Sequence, residues 1–209
     1  MQWREAAFGM ALVMAGGTAA AQSRPPFPPT TDAAVTYRVE SSARGVPPSI
    51  EVRWSAAAGR MRVDGGMPGY ALLDPAAGTA VVVLEGLGVM LDAPRAAGMD
   101  QLASLEHARR FVRRGSTVVA GTRCTEYEVS GRDAVGTACL TPEGVPLRLD
   151  GQDGHGRTAH LEATSVSLTP QDPAIFQPPP GVRRVNTAAL GKQALQMLLQ
   201  GQAGGLAKP

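Results

Sequence analysis

The stretch AAVTYRVESSARGVPPSIEVRWSAAAGRMRV, residues 33–63, decides the fold. Its apolar residues alternate with polar ones: Val35, Tyr37 and Val39, then Ile50, Val52 and Trp54, then Met61 and Val63. A period of two puts alternate side chains on opposite faces of an extended chain, so each run reads as a half-buried strand. Gly45 with Pro47 and Pro48 divides the first run from the second, and Gly59 divides the second from the third. Short strands separated by turn formers in this way predict an antiparallel meander.

Working outward, Gly65 with Gly66 and Pro68, Asp74 with Pro75, and Gly86 with Gly88 punctuate further apolar runs. Strands are predicted again over 117–120, 122–130, 133–141, 145–150 and 157–168. The proline-dense segment TPQDPAIFQPPPGVRRV, residues 169–185, is expected to close the domain as an irregular arm. The pattern breaks at DQLASLEHARRFVRRG, residues 100–115, where Asp100 can cap, helix formers follow and Gly115 stops the run. These signals predict a helix. A second, amphipathic helix is predicted over 186–201, with a frayed tail at 202–209.

Upstream, MQWREAAFGMALVMAGGTAAAQS has a short charged opening with Arg4, an apolar run, and Ala19-Ala20-Ala21 before Gln22. This is the order of a cleavable secretory signal peptide, residues 1–21, followed by a proline-rich lead-in over 22–32. The apolar run is about a dozen residues, short of the roughly 20 a bilayer-spanning helix requires, and no later stretch approaches that length. The mature protein is therefore expected to be soluble and periplasmic or secreted, not membrane-integral, with residues 33–185 as its single domain. The formal net charge of +2 is too small an excess for a nucleic-acid binder, whose affinity comes from many phosphate contacts.

Cys124 and Cys139 are the only cysteines. In an exported chain an oxidising compartment favours their pairing. If Gly131 and Arg132 form a two-residue hairpin turn, Ser130 faces Asp133 and Cys124 falls directly opposite Cys139. The same register puts Glu126, Glu128 and Thr137 beside the cysteines and Tyr127, Val129, Ala138 and Leu140 on the other face, so the bridge is expected on the more solvated side. A redox-catalytic pair would call for C-x-x-C spacing at a helix start.

The stretch GSTVVAGTRCTEYEVS, the second cysteine, and TPEGVPLRLD together resemble a family of small exported bacterial domains of unknown function, grouped by fold with the lipoprotein carriers LolA and LolB. DPAIFQPPPGVRRV is similar to that family's closing motif, and VTYRVES with GRMRVDG to its opening hairpins, over about 33–185. The resemblance implies a mostly β fold, an antiparallel curved sheet of about eleven strands forming a half barrel, with one or two helices covering its open side. In the carriers the concave face shelters acyl chains. The family offers no catalytic residues to carry over.

No G-x-S-x-G, H-E-x-x-H, phosphate-binding loop or C-x-x-C motif is present. Within DGQDGHGRTAH, Asp150, Asp153, His155 and His160 suggest a metal, but the glycines place three of them at a turn and strand parity puts His160 beside Glu162 on a polar face. A solvated turn is the expected reading. His107 has no second ligand at helical spacing, and Met61, Met67, Met90, Met99 and Met197 form no cluster. No cofactor, metal site or enzymatic activity is expected. On the first predicted helix Arg109, Arg110, Arg113 and Arg114 would share one side, a possible contact for an anionic headgroup or an acidic partner. On the second, Leu190, Ala194, Met197 and Leu198 would cover an apolar cavity. The expected function is a non-enzymatic domain binding a lipid, lipoprotein or other apolar ligand in the concavity of the sheet, or else a structural or assembly partner of a cell-envelope protein without a small-molecule ligand.

Overall fold

The computed structural model describes residues 25–66, 68–93, 108–131, 134–153 and 156–185. They form one sheet of twelve strands. The strands are β1 (Ala33–Ser41), β2 (Ser49–Ser55), β3 (Arg60–Asp64), β4 (Tyr70–Asp74), β5 (Thr79–Leu84), β6 (Val89–Asp92), β7 (Arg110–Val119), β8 (Thr122–Ser130), β9 (Ala134–Leu140), β10 (Pro146–Asp153), β11 (Thr158–Ser167) and β12 (Arg183–Val185). Their order across the sheet is β12-β6-β5-β4-β3-β2-β1-β11-β10-β9-β8-β7. Two meanders thus meet at the antiparallel pair β1–β11. Every pairing is antiparallel except that of β12, which joins β6 parallel. The sheet is open and curved, and it curls enough for β7 to pack against β11 although three strands lie between them.

The expected count of about eleven strands becomes twelve, because the closing arm ends in β12. The expected helix over 100–115 is corrected from Arg110 onward: those residues open β7 and pair with β8. Phe111 and Val112 are good strand formers, and the edge-to-face contact of Phe111 with Tyr127, ring centroids 6.0 Å apart, is available only in the extended form. Residues 100–107 lie outside the described segments, as do the signal peptide and the helix predicted over 186–201. The helical segments among the described residues are two short 3-10 turns, Glu85–Leu87 and Pro173–Phe176. None of the described helices is long and apolar enough to cross a membrane.

Alternation gives the sheet two unlike faces. Face B carries Val35, Tyr37 and Val39 of β1 with their partners Val52, Leu161, Leu149 and Ala138. Tyr37, Leu147, Leu149, Leu161 and Trp54 are almost wholly buried there, each burial of this kind contributing about 1.5–3 kcal/mol. Face A carries charge over β8 to β1, and a small apolar cluster of Tyr70, Leu72 and Val83 over β4 and β5.

Two arms lock the sheet. The N-terminal arm donates from Thr30 N to the Glu143 carbonyl at 2.9 Å and accepts the Trp54 indole N–H on the Pro29 carbonyl at 2.8 Å. Asp32 ends it by accepting from the backbone N–H groups of Ala56 and Gln171, both at 2.8–2.9 Å. The closing arm runs from β11 past Asp32 to the 3-10 turn at Pro173–Phe176, which packs on β3 with Phe176 buried, and then to β12 at the sheet's edge.

Candidate functional site

The cysteines sit on adjacent strands and are bridged, with Cα atoms 5.4 Å apart. The hairpin register differs from the expected one. Ser130 faces Val135, and Glu126, not Cys124, faces Cys139. The bridge is therefore diagonal across β8 and β9, within reach because diagonal neighbours remain close on one face. Nor is it solvated: Cys124 and Cys139 are 1% and 2% exposed. Ala138 and Leu140, on the opposite face, are buried as well, so both faces of the sheet are covered at this end, while Glu128 and Thr137 toward the hairpin tip are exposed.

From the bridge a ladder of alternating charge crosses face A. Arg148 lies between Glu126 at 3.7 Å and Glu162 at 2.8 Å. Glu162 also meets Arg38 at 3.3 Å, and Arg38 meets Glu40 at 3.8 Å. Each opposite-charge pair at this exposure contributes modestly, about 0.2–1 kcal/mol, and together they fix which residues may face one another.

Beside the ladder runs the register row Thr137–Asp150–His160–Glu40. The Asp150 carboxylate accepts from the Thr137 hydroxyl at 3.3 Å and holds the His160 Nδ1 at 2.5 Å. With Gln152, Thr158 and Ser42 these side chains line an open groove of about 630 Å³. Of the residues singled out in DGQDGHGRTAH, the structure joins Asp150 to His160 across the β10–β11 pair. Asp153 ends β10, and His155 lies outside the described residues. Glu40 completes the row from β1, far away in sequence, and no local pattern announces it. A carboxylate-oriented imidazole is half of a nucleophilic constellation, but the Ser42 hydroxyl is engaged with the backbone of Thr158, at 3.3 Å to its carbonyl and 2.9 Å to its N–H. Among the described residues no group of three His, Cys, Asp or Glu is placed to hold a metal.

The four arginines of 109–114 do not share a helical side. On β7 the register is broken between Arg113 and Gly115, and Arg114 pairs with Glu128, its Nε donating at 3.0 Å. That hydrogen bond, with the charge of Arg114 and then Arg110, holds the Glu128 carboxyl below the usual range. Arg113 turns to the Ser116 hydroxyl at 3.5 Å. Leu190, Ala194, Met197 and Leu198 lie outside the described residues.

Face B has its own continuity. Val166, Val35, Val52, Val63, Ala71, Val82, Leu91 and Val185 form one aliphatic row with a member on every strand from β11 through β1 to β12. Over β1 and β2 the row is buried. Over β3 to β5, Val63 and Val82 of the row, with Leu73 and Ala80 beside it, are half-buried, while Ala71 between them is buried.

No protein-family model matches the chain, and no curated protein matches its sequence. Among solved structures it is similar in fold to MucB in the MucA/MucB complex of Pseudomonas aeruginosa, with 17% identity over 74% of this chain and 58% of that one, TM-score 0.43. It is similar to a LolA superfamily protein from Nitrosomonas europaea, with 12% identity over 71% of this chain and 91% of that one, TM-score 0.38. A further similarity is to a putative outer membrane lipoprotein-sorting protein domain from Vibrio parahaemolyticus, with 10% identity over 70% of this chain and 89% of that one, TM-score 0.32. The chain spans 58% of the MucB structure and 57% of MucB in its complex with MucA(peri).

Proposed function

We propose that this chain is a non-enzymatic, exported binding domain that takes a lipid or other apolar ligand on face B. The observation that carries the reading is the unbroken aliphatic row of that face and its half-buried patch at Val63, Leu73, Ala80 and Val82. An apolar surface of this kind gains by covering itself, and a ligand with a hydrocarbon chain supplies that cover without needing polar partners. Export is supported by the signal-peptide order of residues 1–21 and by the buried disulfide.

The test is titration of the full-length exported protein with a fluorescent fatty-acid probe, beside native mass spectrometry of the periplasmic fraction. Val63→Phe with Ala80→Phe fills the patch while keeping it apolar. Probe uptake by the parent protein that is lost in the filled variant supports the proposal, and uptake that is unchanged by filling overturns it. N-terminal sequencing of the same sample tests export separately, with Gln22 as the expected first residue.

A further inference from the structure

The groove beside the charge ladder lies apart from the ligand surface on face B. It runs over face A between two register rows, Thr137–Asp150–His160–Glu40 on one side and Val135–Gln152–Thr158 on the other. The positions between the rows, Gly136, Gly151 and Ala159, belong to the opposite face, so the floor of the groove is main chain. Its walls reach solvent: Val135 is 57% exposed, and the Glu40 and Asp150 side chains are 69% and 46% exposed. From β9 to β1 the groove crosses three strand spacings, about 14 Å.

The hydrogen bonds already made by these walls decide what they can take. The Asp150 carboxylate cannot donate, so the hydrogen of its 2.5 Å contact with His160 belongs to Nδ1, and Nε2 of the neutral ring is left as an acceptor. Gln152 spends its amide nitrogen on the Gly156 carbonyl at 3.4 Å and keeps Oε1 as a second acceptor. Neither acceptor meets a donor among the described residues. The carboxylates, by contrast, are already served: Asp150 accepts from His160 and Thr137, and Glu40 has Arg38 at 3.8 Å. No lysine or arginine lines the groove, so an anionic ligand would find no counter-charge there. What the groove lacks is neutral donors in fixed directions, next to the apolar wall at Val135.

We infer that this groove binds a neutral carbohydrate chain. A sugar ring offers hydroxyl donors at its edge, for His160 Nε2 and Gln152 Oε1, and C–H groups on its face, for Val135. A groove that is open along its length and crosses four strands suits a short stretch of a polymer better than a single enclosed molecule. This inference does not depend on the ligand proposed for face B.

The experiment uses the full-length exported protein with the neutral trisaccharides maltotriose, cellotriose and triacetylchitotriose, beside anionic trigalacturonate and cationic spermidine. Isothermal titration calorimetry gives affinity, and the imidazole nitrogen resonances of His160, assigned with His160→Gln, give location. At least one neutral trisaccharide should bind, move the His160 Nε2 resonance and respond little to added salt, while trigalacturonate should not bind. Asp150→Asn, which weakens the hold on the ring, and Val135→Ser, which removes the apolar wall, should each weaken that binding by about tenfold. Circular dichroism checks that both variants fold, and fatty-acid probe uptake, the readout for face B, should be the same in them as in the parent. Failure of all three neutral trisaccharides to move the His160 resonance, or binding that neither variant weakens, overturns the inference. So does binding of spermidine in their place that salt reverses, which would make the groove a cation site.

Discussion

The hydroxyl of Tyr37 on β1 donates to the carbonyl of Pro146 on β10, 2.6 Å away and buried, passing over the intervening strand β11. The crossing is possible because the residue facing Tyr37 on β11 is Ala163, whose side chain is small. One bond thereby ties the strand where the two meanders meet to the next strand but one.

Replacement of Tyr37 by phenylalanine should leave the Pro146 carbonyl without this donor and cost about 1–3 kcal/mol, measured by urea denaturation. Burial pushes the Tyr37 hydroxyl well above its ordinary value, so the folded state holds the proton where the unfolded state releases it. The unfolded chain then binds fewer protons than the native one above roughly pH 10, and stability falls as pH rises from there. In the phenylalanine variant that alkaline slope should be shallower. An unchanged slope would mean that Tyr37 is not the group responsible.

The disulfide closes a loop of sequence separation 15, which in the chain-entropy treatment corresponds to about 3 kcal/mol. Cys124→Ala with Cys139→Ala should lower stability by roughly that amount while leaving the β8–β9 hairpin paired. Because both cysteines are buried, the native protein should resist reduction until denaturant is added. Rapid reduction under native conditions, followed by mass after alkylation, would contradict the burial.

Gly136 and Gly151 face each other across β9 and β10, yet they are not equivalent. A Cβ at Gly136 would stand 1.9 Å from the Asp150 carbonyl oxygen, a backbone atom that cannot move aside without parting the strands, whereas at Gly151 the nearest atom is 3.8 Å away. Gly136→Ala should therefore cost about 1–3 kcal/mol or more, while Gly151→Ala should be neutral or slightly stabilising by restricting the unfolded chain. Thermal denaturation of the two variants side by side checks the contrast, and equal midpoints would refute it.

Arg62 clamps the closing arm. Its guanidinium bonds Asp64 at 2.8 Å, lies 3.5 Å over the Tyr70 ring, and donates to the Ile175 carbonyl at 3.4 Å. Arg62→Met should cost about 1–2 kcal/mol and speed amide exchange at Ile175 and Gln177, whose N–H groups bond within the 3-10 turn. Exchange that stays as slow as in the parent would show that buried Phe176 holds the arm without the clamp.

Much of the fold was legible from alternation alone. Val35, Tyr37 and Val39 lie on face B together with Ile50, Val52 and Trp54, because side-chain parity is a local property of an extended chain. Parity also placed Cys124 and Cys139 on one face and so identified the bridge. It could not place the register, since a slip by two residues moves every partner and changes no face. Ser130 pairs with Val135 rather than with Asp133. The arginine-rich stretch at 110–114 suits a helix or a strand by propensity, and pairing with β8 settled it as β7. Asp150 meets His160 across the neighbouring β10–β11 pair, but the meeting of His160 with Glu40 depended on β1 joining β11, a contact between distant parts of the sequence that no pattern within either strand specifies. For the alternating segments the sequence by itself determined that they are strand and which side chains share a face; only the tertiary structure decided that 110–115 is strand, which strands are neighbours and how they are offset, because those follow from cross-strand packing and hydrogen bonding over the whole sheet.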